Sequence, residues 1–289
     1  MSEPVLSVSL QAAYGSKTIL ENVRFDLHRG EALGLVGTSG AGKSTLVMAL
    51  MGLLPWAGGH ATGHVLLEGT DLLRMCERDL RQLRGRRIAL VPQSPMSALN
   101  AAVSLRSHFE EAWRAHDQSG RRALKQRLQT LMSEVHLPAD PGFLARKPGE
   151  ISVGQAQRIL IALALLHRPA VLIADEPTSA LDPVTQREIV TLLSRLNKQN
   201  GTTMLYISHD LVSVLQLCDR LAVLDSGAIQ ECLPITEMMH AQHPSTLSLL
   251  RTLPAPADVL LRYRDDGKTS TSAIEPQVTR AEPGVLQAG

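Results

Sequence analysis

The run Gly37, Thr38, Ser39, Gly40, Ala41, Gly42, Lys43, Ser44, Thr45 satisfies the pattern G-x-x-x-x-G-K-[ST] at every specified position. The residue types are those a phosphate group needs. Gly37, Gly40 and Gly42 let the backbone curl until successive N–H groups face one anion. Lys43 sets a point charge where the β- and γ-phosphates of a nucleotide sit. Ser44 offers a hydroxyl to Mg²⁺, and a helix starting there adds its positive end.

Two further sites of chemistry follow in the chain. Leu172, Ile173 and Ala174 form an apolar strand that delivers Asp175 and Glu176 at its C-terminal end, where α/β sheets place ligands. Asp175 suits Mg²⁺ held through water, and Glu176 suits polarising an attacking water. An acidic pair before Pro177 and Thr178 also fits a helix N-cap. The second site is Ser152 and Gly154, small residues just before a helix expected over 156–166. That is another helix N-terminus suited to an anion. A whole helical stretch separates it from the first loop, so the economical arrangement is a second copy that offers this helix end across an interface.

Positioning these groups requires strands and helices in alternation. Residues 32–36 read as a buried strand before the phosphate loop, and residues 45–51 as the apolar helix after it. Residues 5–10 and 23–27 alternate like strands, with a tight turn over 28–31. Short strands are expected at 63–69 and 86–93, with a helix over about 72–83 between them. From Ser97 to about Arg146 helical periodicity takes over, as in Leu124, Leu128, Leu131, Met132 and Val135. Strand character returns at 171–176, 203–208 and 220–224, with a helix over 184–197 and a hairpin turn at Asp225, Ser226 and Gly227. A further helix or two is expected over 230–253. After about Tyr263 the sequence turns to Ser, Thr, Pro, Gly and Glu, the composition of a disordered tail.

Composition narrows the classes. The 289 residues carry 29 basic and 28 acidic side chains and only 3% aromatics, which argues against a nucleic-acid partner. Cys76, Cys218 and Cys232 lack metal-ligand spacing and fit reduced thiols. The opening Ser2, Glu3, Pro4 does not read as a signal peptide. The longest apolar stretch, 159–174, is interrupted by His167, Arg168 and Pro169, short of a membrane span. The arginines at 74, 78, 81, 84, 86 and 87, interleaved with Glu77 and Asp79, read as a solvated helix face.

Further residues fall in order around these sites: Tyr14 before the loop, Gln93 after a strand, Ser179, Ala180, Leu181 and Asp182 after the acids, and His209 after Leu205, Tyr206, Ile207 and Ser208. Together the pattern resembles the nucleotide-binding subunit of an ATP-binding-cassette (ABC) transporter, over about residues 5–253. The resemblance implies an α/β fold: a P-loop NTPase (RecA-like) core with an antiparallel β subdomain and a helical insertion subdomain at about 97–155. Residues 254–289 would form a C-terminal extension. It implies ATP and Mg²⁺ as ligands and ATP hydrolysis as the activity. By that resemblance Tyr14 stacks on adenine, and residues 37–45 hold the phosphates. Ser44, Gln93 and Asp175 serve the metal, Glu176 is the general base, and His209 holds the γ-phosphate. Ser152, Val153, Gly154 and Gln155 meet the nucleotide of the opposite chain, and Asp182 links the two sites. The family usually has glycine where Val153 stands, and valine does not share glycine's access to positive φ.

Two segments resemble the importer branch for peptides, nickel and related small solutes: residues 93–100 and residues 242–250. The implied partners are two transmembrane permease subunits, a second copy or a sister ATPase subunit, and an extracytoplasmic solute-binding protein. The implied location is peripheral, on the cytoplasmic face of the inner membrane. An exporter subunit and a soluble, non-transport ABC ATPase are the competing readings.

Overall fold

The computed structural model describes residues 3–251 and residue 253. Ten strands are present among them: β1 Leu6–Tyr14, β2 Lys17–Leu27, β3 Ala32–Val36, β4 Gly59–Leu67, β5 Thr70–Asp71, β6 Ile88–Val91, β7 Val171–Asp175, β8 Met204–Ile207, β9 Arg220–Asp225 and β10 Ala228–Pro234. The α-helices are α1 Lys43–Leu50, α2 Glu77–Leu83, α3 Pro95–Ala98, α4 Leu105–His116, α5 Gly120–Glu134, α6 Pro141–Ala145, α7 Val153–Ala164, α8 Pro183–Asn200, α9 Leu211–Leu217 and α10 Pro244–Leu250.

Two sheets result. One is antiparallel, in the order β2-β1-β4-β5. The other runs β10-β9-β3-β8-β7-β6, parallel from β9 to β6, with β10 antiparallel on its edge. The peptide N–H of Glu21 donates to Gly227 O over 2.7 Å and joins the two sheets. Between β6 and β7 the regular structure is helical throughout, from α3 to α7.

The parallel strands read as unbroken apolar runs because both faces are covered. On β7, Leu172 and Ala174 enter one core cluster, while Val171 and Ile173 enter the other. Strand β8 divides in the same way, with Met204 and Tyr206 on one side and Leu205 and Ile207 on the other. The first face packs α7, α8, α9 and the helices between β6 and β7, and the second packs α1 and the antiparallel sheet.

Four sequence expectations change. The first two strands are longer than 5–10 and 23–27 and form one hairpin around Gly15. The helix expected over 72–83 is broken: residues 72–74 form a 3-10 turn, capped by Asp71 at Leu73 N, and extended Cys76 precedes α2. Residues 230–234 are strand, not helix. The turn at 225–227 folds them back on β9, and all seven residues of β10 are half-buried, so no alternation marks them.

The arginine cluster is the fourth. Arg84 is not solvated: its side chain is 16% exposed. It donates to Met51 O at 2.7 Å and Gly52 O at 2.9 Å, while Glu77 accepts from both terminal nitrogens. Arg84 therefore closes the carbonyl end of α1, which has no basic residue of its own in its last turn. Arg127 does the same for α7, donating to Leu166 O at 2.9 Å and Leu165 O at 2.6 Å. Arg87 is also engaged, by Glu68. The expected tail from about Tyr263 and the extension 254–289 lie outside the described residues.

Candidate active site

Strand β3 ends at Val36, and the chain turns through residues 37–42 into α1. Gly42 is the N-cap of α1 at φ 107°, a left-handed conformation natural to glycine. A Cβ there would also stand 2.5 Å from Leu20 Cδ2. Thr38, Ser39, Gly40 and Ser44 are exposed, Thr45 is half-buried, and Ala41 is buried beneath. No side chain caps the first turn of α1, and no acid lies in it. Its N–H groups and positive end thus face outward unneutralised. Lys43 curls back over the loop, with Nζ donating to Gly37 O at 2.7 Å and Thr38 O at 3.2 Å.

Strand β7 brings the acids to the same end of the sheet. Asp175 is its last residue, paired in register with Ile207 of β8. Glu176 follows at φ 44°, an unusual conformation for a residue with a side chain. It is held there by Glu176 N donating to Ile207 O at 2.9 Å and by Ser179 donating back to Glu176 O. A sparsely populated backbone conformation at a candidate catalytic acid is where strain is expected to concentrate.

Three side chains converge on the Glu176 carboxylate. Gln93 Nε2 donates to Oε2 at 3.1 Å. His209 Nδ1 lies 3.3 Å from the same oxygen, and Lys43 Nζ lies 3.9 Å from Oε1. His209 is otherwise open, with 63% of its side chain exposed. Its loop is pinned on both sides: Ser208 N donates to Leu35 O at 3.1 Å, and Asp210 caps α9 at Val212 N. Burial pushes the Asp175 carboxyl above its ordinary range, the neighbouring Glu176 charge adds to this, and Lys43 opposes both. Two carboxylates beside one ammonium leave an excess of negative charge that a divalent cation would neutralise.

The remaining sequence-selected residues sit elsewhere. Tyr14 ends β1 opposite Lys17 and Gly59, half-buried, with its ring over Gly59. Ser152 is the N-cap of α7. Its hydroxyl accepts from Gln155 N at 3.1 Å, and Ser152 N donates to Gln155 Oε1 at 3.0 Å, a capping box. Val153 is the first residue of α7, 40% exposed, and it is not among the positive-φ residues. Glycine is not needed for the backbone at that position. Asp182 caps α8, accepting from Val184 N and Thr185 N with Oδ1 and from Thr185 Oγ1 with Oδ2. Bonds from Thr185 hold its carboxyl below the usual range.

The structure thus gathers Lys43, Gln93, Glu176 and His209 at one site next to Asp175 and the loop. It gathers Gly154, Asp182 and Thr185 at another. Sequence reasoning missed Arg84 and Thr185, because Met51 and Gly52 meet the first, and Gly154 the second, only once the helices are packed.

The arrangement defines a nucleotide-hydrolysing cassette, and comparison with known proteins agrees. Residues 20–179 match the family described as ABC transporter. The chain is 38% identical over 262 residues to the probable D,D-dipeptide transport ATP-binding protein DdpD of Escherichia coli K12, covering 88% of this chain and 80% of that protein. It is 36% identical over 251 residues to the oligopeptide transport ATP-binding protein OppD of Bacillus subtilis 168, covering 86% and 70%. In fold it is similar to a dimeric ATP-binding cassette solved in a post-hydrolysis state with ADP and Pi. That match has a TM-score of 0.67 at 24% identity and covers 80% of this chain and 98% of the other. The chain belongs to the ABC transporter family, whose cassettes bind and hydrolyse ATP. Among the described residues no helix is long and apolar enough to cross a membrane.

Proposed function

We propose that this chain is the ATP-hydrolysing subunit of an importer for peptides or related small solutes. The observation that carries the proposal is the Glu176 carboxylate at the end of β7, touched by Gln93, His209 and Lys43. The names of two relatives, both peptide-transport ATP-binding proteins, favour a peptide cargo, and that of a third, the glutathione import ATP-binding protein GsiA of Escherichia coli O157:H7, favours import over export.

The loop amides of 37–45 and the Lys43 ammonium hold the phosphates, and Tyr14 offers its ring to the adenine. Glu176 accepts the proton of the attacking water and aligns it with the γ-phosphate, while Gln93 and His209 fix the carboxylate's orientation. Ser44, Gln93 and Asp175 supply the hard oxygen donors that Mg²⁺ prefers, and the bound ion would offset charge developing on the phosphates.

The site is completed by another chain. Ser152, Val153, Gly154 and Gln155 form a helix tip with Ser152 and Val153 exposed, and Asp182 is tied to Thr185, whose methyl lies against Gly154. Each tip reaches the nucleotide of the opposite subunit, a second copy or a sister ATPase. ATP closes the pair because its terminal phosphate bonds to both sides, and hydrolysis reopens it. The pair sits on the cytoplasmic face of the inner membrane beneath two permease subunits, with a solute-binding protein delivering cargo from outside.

The experiment is Glu176→Gln in the full chain. The expected result is an ATP-dependent dimer seen by size-exclusion chromatography, with turnover lost. Normal turnover would mean that another group takes the water's proton.

A further inference from the structure

Thr185 occupies an unusual position. Its hydroxyl donates to Asp182 Oδ2 over 2.6 Å, which fixes its rotamer. With the rotamer fixed, the methyl points at the α7 tip: a Cβ added to Gly154 would stand 2.6 Å from Thr185 Cγ2. The other two Thr185 side-chain atoms nearest that point lie at 3.9 Å, ordinary contact distance. One methyl group therefore creates the whole obstruction. The same side chain touches the two segments that the proposed dimer turns toward the opposite nucleotide.

We infer that Thr185 is a positioning residue. It locks the α7 tip and the Asp182 cap of α8 into one rigid piece, and it is Thr185, in the same chain, that imposes glycine at position 154. The inference rests on the proposed two-chain site for its purpose but not for its geometry. Asp182 keeps its two backbone donors, Val184 N and Thr185 N, whatever happens to the hydroxyl. The Thr185 side chain is therefore needed for the link to α7 and not for capping α8.

The test is a rescue. Gly154→Ala in the full chain should lower kcat about tenfold, the scale of one displaced charge-assisted hydrogen bond. Affinity for a fluorescent ATP analogue should not change, because the Lys43 loop is untouched. Adding Thr185→Ser removes the obstructing methyl and keeps the hydroxyl for Asp182. The double variant should recover most of the kcat that Gly154→Ala loses, and Thr185→Ser alone, which keeps the hydroxyl but gives up the methyl against α7, should turn over a few-fold slower than the parent at unchanged affinity. A fall in stability without a positioning effect would not split kcat from affinity in this way.

The inference is overturned if the double variant is no faster than Gly154→Ala, because the demand for glycine would then come from across the interface. It is also overturned if Thr185→Ser alone turns over at the parent rate, because the methyl would then position nothing, or as slowly as Gly154→Ala, because the rescue would then have no room to appear. The Glu176→Gln dimer assay reads the two-chain site independently. Its failure would remove the purpose of the linkage, while the rescue would still report the packing.

Discussion

The Gln93 amide donates to Glu176 Oε2 over 3.1 Å, joining the loop after β6 to the end of β7. That bond makes the orientation of the proposed general base depend on a loop outside the sheet. An exposed loop that holds the base can also release it when something docks against the loop.

Gln93→Ala leaves the carboxylate tethered by His209 and Lys43 alone. The expected result is a fall of about tenfold to a hundredfold in kcat, the range for losing the orientation of a catalytic group. Nucleotide affinity should hold. Steady-state ATPase assays beside an equilibrium binding titration check both. An unchanged kcat would remove Gln93 from the site.

Asp175 predicts a pH-dependent cost. Its folded-state pKa is raised above the ordinary 3.8 by burial and by Glu176. For an acid the native state then binds more protons than the unfolded chain, so stability falls as pH rises from about 3.8 through the folded pKa. Asp175→Asn should therefore raise the melting temperature at neutral pH. The gain should shrink as pH drops through the folded pKa and vanish below 3.8, where both states are protonated. Thermal melts over a pH series test this, with Mg²⁺-dependent turnover expected to be lost at every pH. A gain that persisted unchanged at low pH would contradict the origin of the shift.

Arg84→Ala should destabilise the fold, because the Met51 and Gly52 carbonyls lose their donor. Orphaned, partly buried acceptors cost roughly 1–3 kcal/mol. Arg78, with 88% of its side chain exposed, is the contrast: its alanine variant should fall within about 0.5 kcal/mol of the parent. Urea unfolding of the two variants side by side decides it. Glu77 bears on the same clamp. Arg84 first and then Arg81 hold its pKa down to about 2. Its contribution is present above 4.5 and is lost only as pH falls through about 2.

Val153→Gly should not improve turnover. The residue already has a helical backbone at the start of α7 and an exposed side chain. Glycine there restores the common family sequence but adds backbone freedom, at a cost of up to about 1 kcal/mol. A clear rise in kcat would show that the valine side chain hinders the opposite nucleotide.

Much of this was legible in the sequence, for physical reasons that particular residues make plain. The phosphate loop was readable because its chemistry is contiguous: Gly42 must turn at positive φ and Lys43 must follow it. Strands β3, β7 and β8 were readable because burial on both faces leaves apolar runs in them, broken only by Asp175 where β7 ends. The acids at 175 and 176 were readable because a strand end fixes where they emerge. Strand β10 was not, since each of its residues is half-buried and nothing alternates. Arg84 looked solvated because its acceptors, Met51 and Gly52, come from more than thirty residues earlier. Thr185 gave no signal, as its relation to Gly154 exists only once α7 and α8 are packed.

Arg127 has a mechanical consequence. It belongs to α5, yet it grips the last carbonyls of α7, whose opposite end is the tip at Ser152. A helix of 12 residues spans about 18 Å. A tilt given to α5 by a neighbour would pull on those carbonyls and so on that tip, as through a crankshaft. The cation at one end sets the aim of the other, and slack in the guanidinium's grip would appear as mistimed closure of the proposed pair even with every group around Glu176 intact.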